Sequence, residues 1–299
     1  VLCIAIGSFA VSSLSRVPTR LLPWNQRLLA LSIAALYLLL DEAPYWVHRL
    51  RIEFGNSPTE FYAYYLAGGT FFAIVAGLPL ACSGATLPLL FDHMRRTASE
   101  LGSLAGHIYS WNTIGSLSGA LLGGYALLLW FDLDGVYRIS IAALSLSAAM
   151  LSVRVGLFRS KVQAAGALAL VLAFLASAGP WSPYLLATGL FRDREPAEYS
   201  YAGAEAAADR LKMSIMYYDD DPTMSVTVRE TTDPSVELVR ALATNGKGDG
   251  STSTDYGTMA LVGLLPALIE REPKSSFIIG FGTGVSAGEL ANVADTERH

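Results

Sequence analysis

Residues 61–91, FYAYYLAGGTFFAIVAGLPLACSGATLPLLF, run for 31 positions without a charged side chain. A helix needs about 20 mostly apolar residues to cross the hydrocarbon of a bilayer. The stretch therefore reads as membrane-embedded helix. It is too long for one straight span, and Pro79 and Pro88 predict a kink, a break or a re-entrant turn within it.

Five further runs flank it. Residues 1–15 and 28–40 precede it; residues 108–131, 139–153 and 162–178 follow. Charge is confined to the gaps, so six spans are expected over residues 1–180. The shorter runs gain length if Trp24, Trp46, Arg27 and Arg138 snorkel toward the headgroups. Cys3 and Cys82 lie inside apolar runs and read as small buried hydrophobes.

Composition agrees. Of 299 residues, 52% are apolar and only 16% charged, against roughly 25% charged in soluble domains. Residues 1–180 carry 11 Lys/Arg and 8 Asp/Glu, whereas residues 181–299 carry 10 and 18. Two physical regimes meet near Pro180. The acidic second half argues against a nucleic-acid surface. The chain opens at Val1 inside an apolar stretch and stops at Glu297-Arg298-His299. It reads as a segment of a longer protein.

Arginines set the expected orientation. Arg16, Arg20 and Arg27 follow the first run, Arg95 and Arg96 the third, and Arg154, Arg159 and Lys161 the fifth. Basic gaps face the cytoplasm, and six spans then leave residues 181–299 outside. Gly115, Gly119 and Gly123 repeat every four residues, a spacing that lets helix backbones approach closely in lipid. Packing within the chain is the expectation, with a homodimer contact as the alternative. Asn112, polar within that run, is expected to bond a neighbouring helix, or else to line a solute path. Acids, lysines and arginines are missing from the span centres.

Beyond Pro180, residues 181–211 read as a linker with a short helix. Residues 213–218, 224–230 and 236–243 read as strands of a small antiparallel sheet spanning 212–250, with Val226 and Val228 on one face and Asn245-Gly246 as a turn. The acids Asp219, Asp220 and Asp221 fit an exposed hairpin turn better than a metal site, and no metal is expected. Residues 255–270 have helical spacing at Met259, Val262, Leu265 and Ile269. Glu272-Pro273-Lys274 breaks the chain. An apolar strand, Ser276-Phe277-Ile278-Ile279, then leads into Gly280-Phe281-Gly282-Thr283-Gly284 and a helix through Leu290. Strand, glycine turn and helix are the nucleotide-binding corner of a doubly wound sheet. A glycine-rich turn alone also fits a tight connection. The expected fold is a multi-pass helical membrane domain followed by an α/β domain.

Two sets of motifs carry a family resemblance. Gly84-Ala85-Thr86-Leu87-Pro88 and Tyr109-Ser110-Trp111-Asn112-Thr113-Ile114-Gly115 resemble the membrane region of bacterial membrane-fused spermidine synthases. Gly263-Leu264-Leu265-Pro266, Pro273-Lys274 and the Gly280 turn resemble the start of their synthase domain. The resemblance implies an integral protein of the bacterial cytoplasmic membrane. It also implies a β-hairpin lobe followed, over 251–299, by the start of a Rossmann-like methyltransferase fold. Decarboxylated S-adenosylmethionine, or S-adenosylmethionine itself, would sit at Gly280, Gly282, Thr283 and Gly284, and an amine such as putrescine would be the acceptor. The resemblance places the Asp that helps deprotonate the amine after His299, so no catalytic residue is assigned. Where the soluble enzymes carry a Gln after the lobe's Gly, Asp249 stands here. Their Tyr-His-Glu run falls on Thr258, Met259 and Ala260, and their second His on Leu264. Asp249 and Asp255 remain as candidate amine contacts. The cofactor is cytosolic, so it places residues 181–299 inside, against the arginine count.

Overall fold

The computed structural model describes residues 1–55, 57–156, 161–210, 213–231, 238–270 and 275–293. The chain divides into two compact units, Val1–Ala43 with Arg49–Trp181, and Pro44–His48 with Ser182–His299. It is mostly helical, with one small antiparallel sheet.

The six apolar runs of the first unit all form helices: α1 (Leu2–Ser12), α2 (Leu21–Tyr37), α4 (Pro58–Arg95), α5 (Leu101–Leu121), α6 (Leu133–Arg154) and α7 (Lys161–Ser177). A seventh helix, α3 (Ala43–Ile52), carries charge and a Pro in its first turn. Three helical stretches are long and apolar enough to cross a membrane: Pro58–Arg95, Leu101–Leu129 and Leu133–Arg154. The break expected in the long run does not occur. Helix α4 is continuous over 38 residues with Pro79 and Pro88 inside it, about 57 Å at 1.5 Å per residue. Its start is fixed by Ser57, whose hydroxyl accepts from the Glu60 N–H while the Glu60 carboxylate accepts from the Ser57 N–H, a reciprocal cap.

Helix α4 organises this unit by packing against α1 and α2; α2 also packs on α6, and α6 on α7. The α1–α4 contact is backbone on backbone. A Cβ at Gly7 would fall 1.9 Å from the Ala81 carbonyl oxygen, and one at Gly84 would fall 2.0 Å from that of Ile4. Below this crossing, Val11, Leu22, Ala85 and Leu89 form a buried apolar cluster. Asn25 Nδ2 donates to the Cys82 carbonyl (2.9 Å), and Gln26 Nε2 donates to Thr86 Oγ1 (2.8 Å). Cys82 is buried and Cys3 half-buried, both as free thiols.

Close helix packing therefore uses different glycines from the expected ladder. Nothing lies within 4 Å of a Cβ built at Gly115 or Gly119, and Gly123 meets only Val136 Cγ1 at 3.9 Å. Helix α5 buries only Ile108, and Gly123-Gly124 fall in a π-helical turn, Leu122–Ala126. The spacing marked a helix surface of small residues but could not say whether another helix lies on it.

Arg138 is tied to neighbouring helices. Its Nε donates to Tyr37 Oη (2.7 Å) and pairs with Asp134 (3.2 Å). Its Nη1 and Nη2 donate to the carbonyls of Leu175 (2.8 Å) and Ala178 (2.9 Å). A cation is thus set on the carbonyl end of α7, where the helix dipole favours it. Trp181 stacks on Tyr37 (5.2 Å) and donates to its carbonyl (2.8 Å).

In the second unit, the stretch expected as a linker is packed structure. Helices α8 (Pro183–Leu186) and α9 (Ala204–Asp209) and two short 3₁₀ turns fold around buried Leu190, Ala204 and Ala207, with Tyr45 in the same cluster. His48 is fully buried, Nε2 on Ser200 Oγ (2.8 Å) and Nδ1 on the Asp193 carbonyl (3.1 Å).

The sheet has four strands in sequence order, β1 (Met213–Asp220), β2 (Ser225–Thr231), β3 (Arg240–Thr244) and β4 (Lys247–Ser251), all antiparallel. The start of the third expected strand, residues 236–237, lies outside the described residues. The β1–β2 turn spans Asp221–Met224, and Asp221 Oδ1 accepts from the Thr223 N–H. Asp219 and Asp220 belong to β1, and Asp220 is buried, accepting from Tyr218 Oη (2.9 Å). The β3–β4 turn has Asn245 at φ 48° and Gly246 at φ 72°, the left-handed pair of a two-residue hairpin. It docks on the Gly189 loop so closely that a Cβ at Gly189 would lie 2.1 Å from the Gly246 carbonyl oxygen.

The two-residue period of β2 is as expected, with Val226 and Val228 on one face. Thr227 and Arg229 are buried, and Val226 and Val228 only partly so. Thr227 Oγ1 donates to the Ala243 carbonyl and Arg229 Nη2 to that of Gly246, so the inward side chains bond to backbone rather than forming an apolar face.

The α1–α4 crossing yields a testable outcome. Gly84→Ala should lower stability by about 3 kcal/mol, the upper range for forcing atoms into a packed core. Gly115→Ala should be neutral or stabilise by up to about 1 kcal/mol through helix propensity. Thermal unfolding of the detergent-solubilised protein measures both.

Candidate functional site

The glycine turn has the backbone its sequence requires. Gly280, Gly282 and Gly284 stand at φ 85°, 54° and 76°, conformations that L side chains adopt rarely. Nothing lies within 4 Å of a Cβ built at Gly280 or Gly282, so that side of the turn is open. Gly284 then starts a short helix, α11 (Val285–Ala291).

The strand expected before the turn is not formed. Ser275 makes an isolated bridge, and residues 276–279 join no ladder. Phe277 and Ile279 are 88% and 90% exposed. A central parallel strand takes its hydrogen bonds from neighbours on both sides and is covered on both faces; the described residues offer neither. The Glu272-Pro273-Lys274 break lies outside the described residues.

Helix α10 (Tyr256–Ile269) supports the turn. The helix forms where the spacing predicts it; its buried residues are Ala260 and Gly263, while Val262, Leu265 and Ile269 are exposed. Gly263 is the reason. A Cβ there would come within 2.3 Å of the Ser286 carbonyl oxygen, so α11 rests on the small-residue face of α10. Ser286 Oγ donates to the Met259 carbonyl (2.6 Å), and Thr283 Oγ1 lies 3.1 Å from Met259 Sδ. Tyr256 Oη donates to the Glu289 carboxylate.

Strand β4 reaches the same place. A Cβ at Gly250 would meet Met259 Sδ and Thr283 Cγ2, each at 2.8 Å. The structure therefore brings Thr283, Met259 and the strand that carries Asp249 together. The Asp249 carboxylate itself pairs with Lys247 Nζ (3.6 Å). Asp255 flanks the start of α10 and accepts from Ser251 Oγ (2.9 Å). Gly250, Ser286 and Glu289 escaped the sequence reading, and Gly263 entered it only as part of a motif, not as a packing contact. The small-residue run Gly248-Asp249-Gly250-Ser251 was the available signal for the first of them.

Comparison with protein-family models, curated proteins and solved structures finds no match to this chain.

The bond to Glu289, then that carboxylate's charge, raises the Tyr256 hydroxyl above its ordinary value of 10.0. A raised folded-state value favours the fold fully below pH 10, and that contribution is lost as pH rises through the folded-state value. Alkaline unfolding should therefore be shallower in Tyr256→Phe than in the parent chain; identical profiles above pH 10 would contradict the contact.

Proposed function

We propose that this chain is a membrane-anchored, aminopropyltransferase-like protein whose second unit binds an S-adenosyl-type ligand at the Gly280–Gly284 turn. The observation that carries the reading is the turn itself: three left-handed glycines, an open side at Gly280 and Gly282, and Thr283 beside Gly250 of β4. Glycines let a ligand approach the backbone where a side chain would block it. In this reading the ligand is decarboxylated S-adenosylmethionine, with S-adenosylmethionine as the alternative, and residues 251–299 begin a Rossmann-like domain.

The chemistry is a single displacement. The neutral nitrogen of a diamine such as putrescine attacks the carbon beside the sulfonium. The N–C bond forms, the C–S bond breaks, and the thioether leaves with the sulfur electron pair. The nitrogen then gives up its proton to a base. Asp249 and Asp255 would hold the diamine's distal ammonium, which requires Asp249 to release Lys247. Their positions on β4 and at the start of α10 favour this role; no catalytic base is assigned.

A second reading, a nucleoside- or polyamine-sensing unit on a transporter-like membrane domain, is favoured by the Lys247–Asp249 pair, which occupies the acid that an amine would need.

Calorimetry on the 299-residue chain in detergent tests the ligand class. Decarboxylated S-adenosylmethionine, S-adenosylmethionine and methylthioadenosine serve as titrants. Binding of at least one is expected, weakened tenfold or more by Gly280→Val. Absence of binding by all three removes the adenosyl reading, enzyme and nucleoside sensor alike. A Ser251→Cys variant, in a background without Cys3 and Cys82, tests the side of the membrane. Protection from an impermeant thiol reagent in intact cells is expected of a cytosolic enzyme, and labelling there would exclude one.

A further inference from the structure

Within the first unit, α1, α2, α4 and α5 border an open-sided groove of about 2100 Å³. Its lining comes from α1 from Ile4 onward, the second half of α4, Gln26 and Leu29 of α2, α5 as far as Ser116, and Leu144 of α6. Helices α1, α2, α4 and α5 meet at one end of the bundle, where Arg16, Arg20, Arg95 and Arg96 lie in the adjoining connections and helix ends. On α1 and α4 the lining reaches Ile4 and Ser83, beside the Gly84–Ile4 backbone contact. On its α1–α4 side the groove thus ends beside a backbone-on-backbone helix contact.

Its inner part is polar without being charged. Asn112 and Ser116 line it from α5, one helical turn apart, and Ser83, Thr86 and Gln26 line it from α4 and α2. Among the described residues, the Asn112 amide and the Ser83 and Ser116 hydroxyls make no hydrogen bond. Gln26, 7% exposed, donates to Thr86 and leaves its Oε1 without a partner. Asn112 lies about 16 Å along α5 from Leu101. Ser83, Asn112 and Ser116 are exposed side chains and Gln26 is buried; were α5 to cross a bilayer, unpaired polar groups facing hydrocarbon would cost several kcal/mol each, which favours water or a solute in the groove.

The charges in the lining stay at the outer end. Asp92 is held by Arg95 and Arg96, each at 2.6 Å, and Glu100 precedes the first residue of α5. No acid is available beside Asn112 to receive an ammonium group. Amides and hydroxyls donate and accept alike, which suits a ligand rich in hydroxyls. Tyr109 and Trp111 add aromatic surface to the same wall. The volume exceeds the roughly 300–1,000 Å³ of ordinary small-molecule sites, leaving room for a solute with its water.

We infer that this groove is a water-filled vestibule, entered from the arginine-bearing end, whose inner amides and hydroxyls bind an uncharged polyhydroxylated solute of saccharide size. Polyamines are not its ligands. The inference concerns the first unit alone, so failure of adenosyl binding at the glycine turn leaves it standing.

Cysteine accessibility tests it on the full chain, with Cys3 and Cys82 replaced by alanine. Single Asn112→Cys and Ser116→Cys variants are placed in membrane vesicles whose orientation is set by labelling of Thr97→Cys. Ile114→Cys and Leu117→Cys, outside the groove lining, report on lipid-facing reactivity and on tolerance of α5 to substitution. With the arginine-bearing end outward, an impermeant charged maleimide should label the groove positions at least tenfold faster than the controls. Sucrose should slow that labelling at least threefold, and putrescine should not. Labelling no faster than the controls overturns the vestibule. Protection by putrescine alone, or by neither probe, overturns the assignment of its ligand.

Discussion

Two glycines let two backbones touch, and the first unit is built around that contact. Gly7 on α1 meets Ala81, and Gly84 on α4 meets Ile4, at separations that exclude any side chain. Lipid tails are as apolar as leucine, so helices in a bilayer gain little from burying greasy surface against one another; close packing and hydrogen bonds hold them instead. The crossing supplies the packing. Beside it, Asn25 and Gln26 on α2 reach Cys82 and Thr86 on α4, placing polar bonds next to the backbone contact. The Val11, Leu22, Ala85 and Leu89 cluster fills the space that the crossing leaves. Continuity of α4 through Pro79 and Pro88 matters here, because one uninterrupted helix carries both the crossing and the wall of the groove.

The second unit uses the same device at smaller scale. Gly189 against Gly246 seats the β3–β4 turn, Gly263 against Ser286 seats α11 on α10, and Gly250 lets β4 approach Thr283. The glycine turn is thereby backed by the seating of α11 on α10 and by Thr283 against β4 rather than by a large apolar core. The exposed apolar side chains of α10 and of residues 277–281 are consistent with that construction, which stabilises the turn without covering the segment that leads into it.

Helix positions were legible in the sequence because hydrocarbon imposes a length and a composition that few other environments do. All six uncharged runs are helices. Which faces touch was much less legible. Gly115, Gly119 and Gly123 have the spacing that marks helix contact, yet the contact is made by Gly7 and Gly84, which show no repeat. Spacing records a surface, and the partner on that surface is a property of the tertiary structure. In β2, alternation placed Val226 and Val228 on one face, and on the other face the bonds of Thr227 and Arg229 to backbone carbonyls depend on partners distant in sequence. At the candidate site, Gly280, Gly282 and Gly284 were readable because positive φ demands glycine. Gly250 and Glu289 were not, and Gly263 was readable only as part of a motif, since each acts through a residue distant in sequence. Arg138 shows the limit for charges, for its role on the α7 carbonyls depends on where Leu175 and Ala178 fall in space.

The crossing has a direct chemical readout. Cys3 Sγ lies 3.6 Å from the position a Cβ would take at Gly77, one turn along α4 from Ala81. Mild oxidation of a Gly77→Cys variant, followed by mass spectrometry of its peptides, should show a disulfide between Cys3 and the introduced thiol in nearly all molecules. A Gly115→Cys variant treated alike should show no link to Cys3. Free Cys3 in the oxidised Gly77→Cys protein, or an equal yield from Gly115→Cys, would contradict the α1–α4 arrangement on which this account of the first unit stands.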